Sequence, residues 1–211
     1  MEKRMSILGD SISTYRGVSD DAAAEPTIVG NPWFYRDPFP MEKTYWHLVM
    51  EALGYTLCVN NSWSGGNLSG AEEHSGVSRA RHLARGTGEC PTLVILFMGI
   101  NDLGRGVDVS VFAADYQRAV DTILREYPEA AVCCVNLPDR DPYFKPRTEQ
   151  FNAAIAGVAA TDARCLVADL FHSRLNNDGY YFNTLDGLHP DEDGMRMIAE
   201  VLIDALRGRG L

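Results

Sequence analysis

No stretch of the 211-residue sequence comes near the ~20 consecutive apolar residues that a membrane-spanning helix requires. The opening MEKRMSILGDS holds too short an apolar run for the core of a signal peptide. The chain as written therefore reads as cytoplasmic with no membrane partner, although an export signal already removed would leave no trace. Basic residues are scarce. Against 29 Asp and Glu stand 19 Lys and Arg, a formal net charge of −10 that repels phosphate backbones, so nucleic acid is not an expected partner. Cysteine is sparse too, and Cys58, Cys90, Cys133, Cys134 and Cys165 lack metal-ligand spacing; they read as small core residues rather than disulfide halves or zinc ligands. Internal repeats, low-complexity tracts and clear linkers are all missing. A chain of this length can bury one full core, and the expectation is a single domain over 1–211.

What the sequence does contain is alternation. Five apolar runs have strand length and composition: Met5 to Leu8, Thr56 to Asn60, Leu93 to Met98, Ala131 to Asn136 and Leu166 to Leu170. Between them fall helical patterns. TYWHLVMEALG has a stop at Gly54, and VSVFAADYQRAVDTILREYP has Ser110 as its expected N-cap and Pro128 beyond its end. RTEQFNAAIAGVAATD and PDEDGMRMIAEVLIDALRG continue the series, with SGAEEHSGVSRARHLARG as a weaker helical segment. Apolar strands alternating with helices predict a parallel sheet covered on both faces, a three-layer α/β/α fold. In such sheets ligands sit beyond the carboxyl ends of the strands, near the switch in strand order.

Ser11 lies at one such end, in the short stretch ILGDSIS. A serine hydroxyl is a poor nucleophile until a base removes its proton. Of His47, His74, His82, His172 and His189, the last stands apart, after the polar turn TLDG and before Pro190. Asp186 precedes it by three residues, close enough to fold back on the imidazole, keep Nδ1 protonated and leave Nε2 free as a base. Each of these features alone is ordinary turn chemistry. Acyl chemistry also needs donors for an oxyanion. NNSWSGGN runs into a glycine turn where Gly65 can offer its N–H, and GIND places the Asn101 side-chain amide just past the third strand.

These four blocks, GDSIS, NNSWSGG, GIND and DGLHP, occur in the order found in the SGNH/GDSL hydrolase family, which the chain resembles over essentially its whole length. The resemblance implies a flavodoxin-like sheet of five parallel strands. It makes Ser11 the nucleophile, His189 the general base and then acid, and Asp186 the orienting carboxylate. The oxyanion hole it implies comprises the Ser11 N–H, the Gly65 N–H and the Asn101 amide. No metal or organic cofactor is implied. The Gly-x-Ser-x-Gly elbow of α/β-hydrolases is missing, because Ser13 stands where its second glycine would be. Asp10 and Asp102 are expected to hold turns rather than react.

Ten of the twenty aromatic residues crowd the loops expected at the active edge. Trp33, Phe34, Tyr35 and Phe39 lie in the long irregular segment 16–43. Tyr143 and Phe144 follow the fourth strand, Tyr180, Tyr181 and Phe182 precede DGLHP, and Trp63 sits in the glycine turn. The substrate-contact candidates are Trp33, Phe34, Tyr35, Trp63, Tyr143 and Phe182, as the walls of a shaped pocket. Segment 16–43 is longer than ordinary connections and reads either as a functional loop or as a poorly ordered one. Arg36, Asp37, Asp139, Arg140 and Lys145 make the rim charged, which favours a short-acyl esterase, with a carbohydrate O-acetylesterase in view, over a long-chain lipase. The partner is then a small-molecule or carbohydrate ester. The resemblance also admits a thioesterase or acyltransferase. Different classes remain open at this stage: a non-catalytic sugar- or phosphate-binding module on the Gly65-Gly66 turn, which leaves Asp186 and His189 unexplained, or an assembly protein using exposed aromatics.

Overall fold

The structure, a computed structural model, describes residues 2–19, 35–86, 88–139, 143–177 and 183–211. Five strands form one parallel sheet: β1 (Arg4–Gly9), β2 (Thr56–Ser62), β3 (Leu93–Phe97), β4 (Ala131–Val135) and β5 (Cys165–Ala168). Their order is β2-β1-β3-β4-β5, a flavodoxin-like arrangement whose direction of winding switches between β1 and β3. Leu8 pairs with Leu96 and Gly9 with Phe97, so these two strands end level with each other.

The helices are α1 (Tyr45–Leu53), α2 (Gly76–Arg79), α3 (Ile100–Gly104), α4 (Val109–Glu126), α5 (Lys145–Ala159), α6 (Arg174–Asn177) and α7 (Glu192–Gly208). They cover both faces of the sheet, α1 packing against α7 and α4 against α5. Helix α4 buries Phe112, Tyr116, Ala119, Val120 and Ile123, and α7 buries Met195, Ile198, Leu202 and Leu206; both follow the three-and-four spacing of a single helical face. All five β3 residues are buried. At about 1.5–3 kcal/mol for each large apolar side chain removed from water, this central strand anchors the edge that presents the site. Among the described residues, no helix is long and apolar enough to cross a membrane.

The structure corrects the sequence reading in several places. The third, fourth and fifth strands stop short of Met98, Asn136 and Leu170. The Asn136 side chain is the cause at β5, where its Oδ1 accepts from the N–H groups of Leu170 (2.6 Å) and Phe171 (3.2 Å) and turns the chain. The cap of α4 is Asp108, whose carboxylate accepts from the Ser110 N–H at 2.8 Å; Ser110 lies inside the helix. Of SGAEEHSGVSRARHLARG only the four residues of α2 are helical, because outside carboxylates bind the preceding amides and hold that stretch as a loop. Cys58, Cys133, Cys134 and Cys165 are buried, whereas Cys90 is exposed.

Candidate active site

The end of β1 leaves no room for a side chain. A Cβ on Gly9 would lie 2.5 Å from Ser13 Oγ and 2.7 Å from Ser62 Oγ, so glycine is required there. Asp10 then caps a single 3-10 turn over Ser11–Ser13, accepting from the Ile12 N–H at 3.0 Å. The turn sends its two serines opposite ways. Ser13 is buried against Tyr45, Oγ to Oη 2.7 Å, while Ser11 Oγ lies 2.9 Å from His189 Nε2. Burial pushes the Asp10 carboxyl up to about 7, against the opposing pull of the Ile12 N–H and the Arg79 charge.

The loop before α7 delivers the imidazole. Asp186 Oδ1 accepts from the N–H groups of Leu188 (3.0 Å) and His189 (2.8 Å), and Oδ2 lies 2.7 Å from His189 Nδ1. The Asp-x-x-His spacing thus closes a turn that aims the ring. Burial works to raise the Asp186 pKa, but hydrogen bonds from the His189 N–H and ring outweigh it and hold the carboxyl below its ordinary value. The loop is pinned from behind, with Leu185 N–H donating to His189 O (2.8 Å) and Asp191 N–H to Asn183 O (3.0 Å).

A second loop, from Trp63 to Ser75, passes in front of β1 and β3. Gly65 sits at φ +70°, in the left-handed region, and its N–H donates to no described residue. Helix α3 stitches this loop in place with three side chains. Asn101 Nδ2 donates to Gly66 O (3.0 Å), Asp102 accepts from the N–H groups of Leu68 (2.7 Å) and Ser69 (2.9 Å), and Arg105, at its C-terminal cap, donates to Gly65 O (2.7 Å) and Asn67 Oδ1. An amide nitrogen carries two hydrogens, so Asn101 retains one beyond the bond to Gly66.

The structure places Ser11, Asp186 and His189 in one hydrogen-bonded series and joins Gly65 and Asn101 through a shared loop. The aromatic candidates divide. Trp63 stacks on His74, centroids 3.5 Å apart at 5°, and the pair forms the wall between two clefts. The smaller, of about 280 Å³, is lined by Gly65, Gly66, Asn67, Glu72, Ser75 and Arg105 beside that wall. Tyr35 differs from its expected role at the pocket: it is 1 % exposed, and its hydroxyl donates to Pro190 O at 2.8 Å, bracing the residue after His189. Tyr143 is open to solvent, 84 % exposed. Trp33, Phe34 and Phe182 lie outside the described residues, as do Tyr180, Tyr181 and Arg140.

Two arginines that matter here were missed by the sequence reading. Arg79 is 5 % exposed and ties three segments together, donating to Gly9 O (3.0 Å), to Asn61 O and Oδ1, and to His74 O (2.9 Å). Nothing in SRARHL marks that one arginine as buried. Arg105 had a signal, since it stands four residues after Asn101 and therefore shares its helical face.

A serine hydroxyl, an imidazole and a carboxylate bonded in series beside the switch point of a parallel sheet are the makings of an ester hydrolase, the class to which this chain belongs. Within that class its family is defined by sequence: the GDSL-like lipase/acylhydrolase family matches residues 7–197, and the chain is a member of it. No curated protein matches the chain. Solved structures do. A protein described as a GDSL-like lipase from Bacteroides ovatus superposes with a TM-score of 0.76 at 21% identity, over 99% of both chains. A family two carbohydrate esterase from Clostridium thermocellum, in complex with cellohexaose, gives 0.73 at 16% identity, over 99% of this chain and 65% of that one. The psychrotrophic esterase EstA from Pseudoalteromonas, inhibited by monoethylphosphonate, gives 0.63 at 16% identity, over 99% and 98%.

Proposed function

We propose that the chain is a serine esterase that removes short acyl groups, acetyl foremost, from a carbohydrate alcohol through an acyl-enzyme, on a single domain spanning 1–211. The observation that carries this reading is the 2.9 Å contact between His189 Nε2 and Ser11 Oγ, with Asp186 behind the ring. In the first step Ser11 Oγ attacks the ester carbonyl carbon while its proton passes to Nε2, and the carbonyl oxygen takes up negative charge. The N–H groups of Ser11 and Gly65 and the second hydrogen of the Asn101 amide are the donors for that oxygen. Collapse expels the alcohol with the proton from Nε2. Water, deprotonated by the same nitrogen, then attacks the acyl-serine, and collapse breaks the bond to Ser11 Oγ, which takes the proton back from Nε2 as the acid leaves.

Support for a short acyl group and a polar alcohol comes from the cleft at Gly65. Its ~280 Å³ is small and its lining is mixed, the polar side chains of Asn67, Glu72, Ser75 and Arg105 beside the Trp63–His74 stack, a setting suited to a sugar ring and poor for a long alkyl chain. The fold likeness to a carbohydrate esterase holding cellohexaose points the same way. Labelling by a fluorophosphonate tests the chemistry: the native chain is labelled and Ser11→Ala is not. A series of aryl esters from acetyl to long acyl, run beside acetylated sugars, tests the substrate. A rate that falls with acyl length and is high on sugar acetates supports the reading, whereas a rate that climbs with acyl length overturns it.

A further inference from the structure

The 65–66 peptide is gripped at every polar atom it offers. Its N–H donates to Trp63 O at 3.0 Å, its carbonyl oxygen, that of Gly65, accepts from Arg105 Nη1 at 2.7 Å, and the next carbonyl, Gly66 O, accepts from Asn101 Nδ2 at 3.0 Å. Two successive glycines have no side chains to hold this turn, so the peptide can rotate unless something outside fixes it. Trp63 holds the nitrogen edge of this planar peptide from within the turn, and Asn101 holds the carbonyl after it. Arg105 holds the oxygen edge from outside the turn, and its Nη2 lies 3.4 Å from where a Gly65 Cβ would be. The arginine is in turn fixed to Asn101, because its own N–H donates to Asn101 O at 2.9 Å, and to Asn67 through Oδ1.

We propose that Arg105 is a positioning residue of the oxyanion site: by holding the carbonyl that follows Gly65 it restricts rotation about the Gly65 backbone bonds, and so narrows the directions open to the Gly65 N–H in the preceding peptide. The inference rests on the reading of Gly65 as an oxyanion donor. A donor aimed in advance spends nothing on reorientation as charge develops, so the hold acts on the transition state and hardly on the bound ester. A charge-assisted bond from a planar guanidinium is suited to this, since it constrains the direction as well as the distance of the accepted carbonyl. Arg105 is exposed, and its removal opens no core.

The test compares Arg105→Ala and Arg105→Lys with the native chain on a small aryl acetate, whose alcohol does not fill the cleft that Arg105 lines, so that sugar contacts do not enter KM. Expected for Arg105→Ala is a fall in kcat of about 10- to 100-fold, less than the loss of a whole donor, with KM and melting temperature near native values and the pH profile unmoved. Guanidinium chloride at sub-denaturing concentration restores part of the kcat of Arg105→Ala and none of that of Asn101→Ala, and Arg105→Lys retains more than Arg105→Ala. A kcat within about twofold of native overturns the proposal, as does a loss confined to KM or one that guanidinium and lysine both fail to restore. Fluorophosphonate labelling of Ser11 in the native chain separates this failure from the larger one. Labelling with an unaffected Arg105→Ala sinks only the role of Arg105, and no labelling sinks the serine-esterase reading and this role with it.

Discussion

Asp186 meets His189 twice, Oδ1 taking the backbone N–H at 2.8 Å and Oδ2 lying 2.7 Å from the ring Nδ1. One carboxylate therefore sets both the path of the chain and the orientation of the imidazole. Replacing it by an amide preserves a carbonyl oxygen for the backbone but allows an N–H to face Nδ1, which favours the wrong tautomer. Asp186→Asn is expected to fold with near-native stability and to lose about 1,000-fold or more in kcat/KM. Thermal melting and esterase rates of the same sample check both halves.

The same pair fixes the sign of the pH dependence. Because the Asp186 carboxyl is held below its ordinary value, it stays ionised from pH 5 to 8, and the base whose protonation would stop the reaction is the imidazole. The base works only when neutral, so kcat/KM rises with pH along this limb and levels above it. A flat or falling profile between pH 5 and 8 contradicts His189 as the base.

Asn101 joins the loop and the proposed oxyanion site through one amide group. Asn101→Ala removes a donor to the developing charge and also releases Gly66 O. The expected cost is about 100- to 1,000-fold in kcat, with fluorophosphonate labelling slowed but still directed to Ser11. Full activity in Asn101→Ala removes the side chain from the oxyanion assignment.

Much of this was readable from residue order because it depends on local spacing. Apolar runs alternating with amphipathic helices dictate a parallel sheet, and Asp186, Gly187 and His189 lie within one turn, so sequence proximity is nearly spatial proximity. What could not be read depends on long-range burial. Tyr35 lies among aromatic neighbours that read as pocket walls, yet its hydroxyl finds Pro190 O across 155 residues and the ring is spent on the core. Arg79 resembles any surface arginine until β1, β2 and the loop at His74 come together around it. Ser110 lost its place as a cap for a subtler reason: Asp108, two residues earlier, accepts the same kind of bond with a charged oxygen.

Asp10 makes a stability prediction with a definite sign. Its carboxyl is raised from the ordinary 3.8 to about 7, so between those values the folded chain binds a proton that the unfolded chain has released. Stability therefore falls as pH rises through this window, by up to roughly 4 kcal/mol for a shift of this size. Asp10→Asn keeps an oxygen for the Ile12 N–H and removes the titration. The stability difference, variant over native, is expected to grow from pH 4 to 7 and then level off, as read by denaturant melts at each pH. A constant difference across that range contradicts the buried carboxyl.

Arg79 holds together the ends of β1 and β2 and the loop that carries Gly65, and it does so from inside the protein. Arg79→Met fills the volume but strands Gly9 O, Asn61 O and His74 O without their charged donor, at a cost of about 3 kcal/mol. Lysine has the charge without the fork. A single ammonium cannot reach three carbonyls that diverge around a planar group, so Arg79→Lys is expected to recover less than half of that loss. Because Gly9 directly precedes Asp10 and Ser11, the variant that still folds also aims its serine less well. Its labelling by fluorophosphonate is expected to slow even at temperatures where melting shows it fully folded, and native labelling rates there would show that Arg79 supports stability alone.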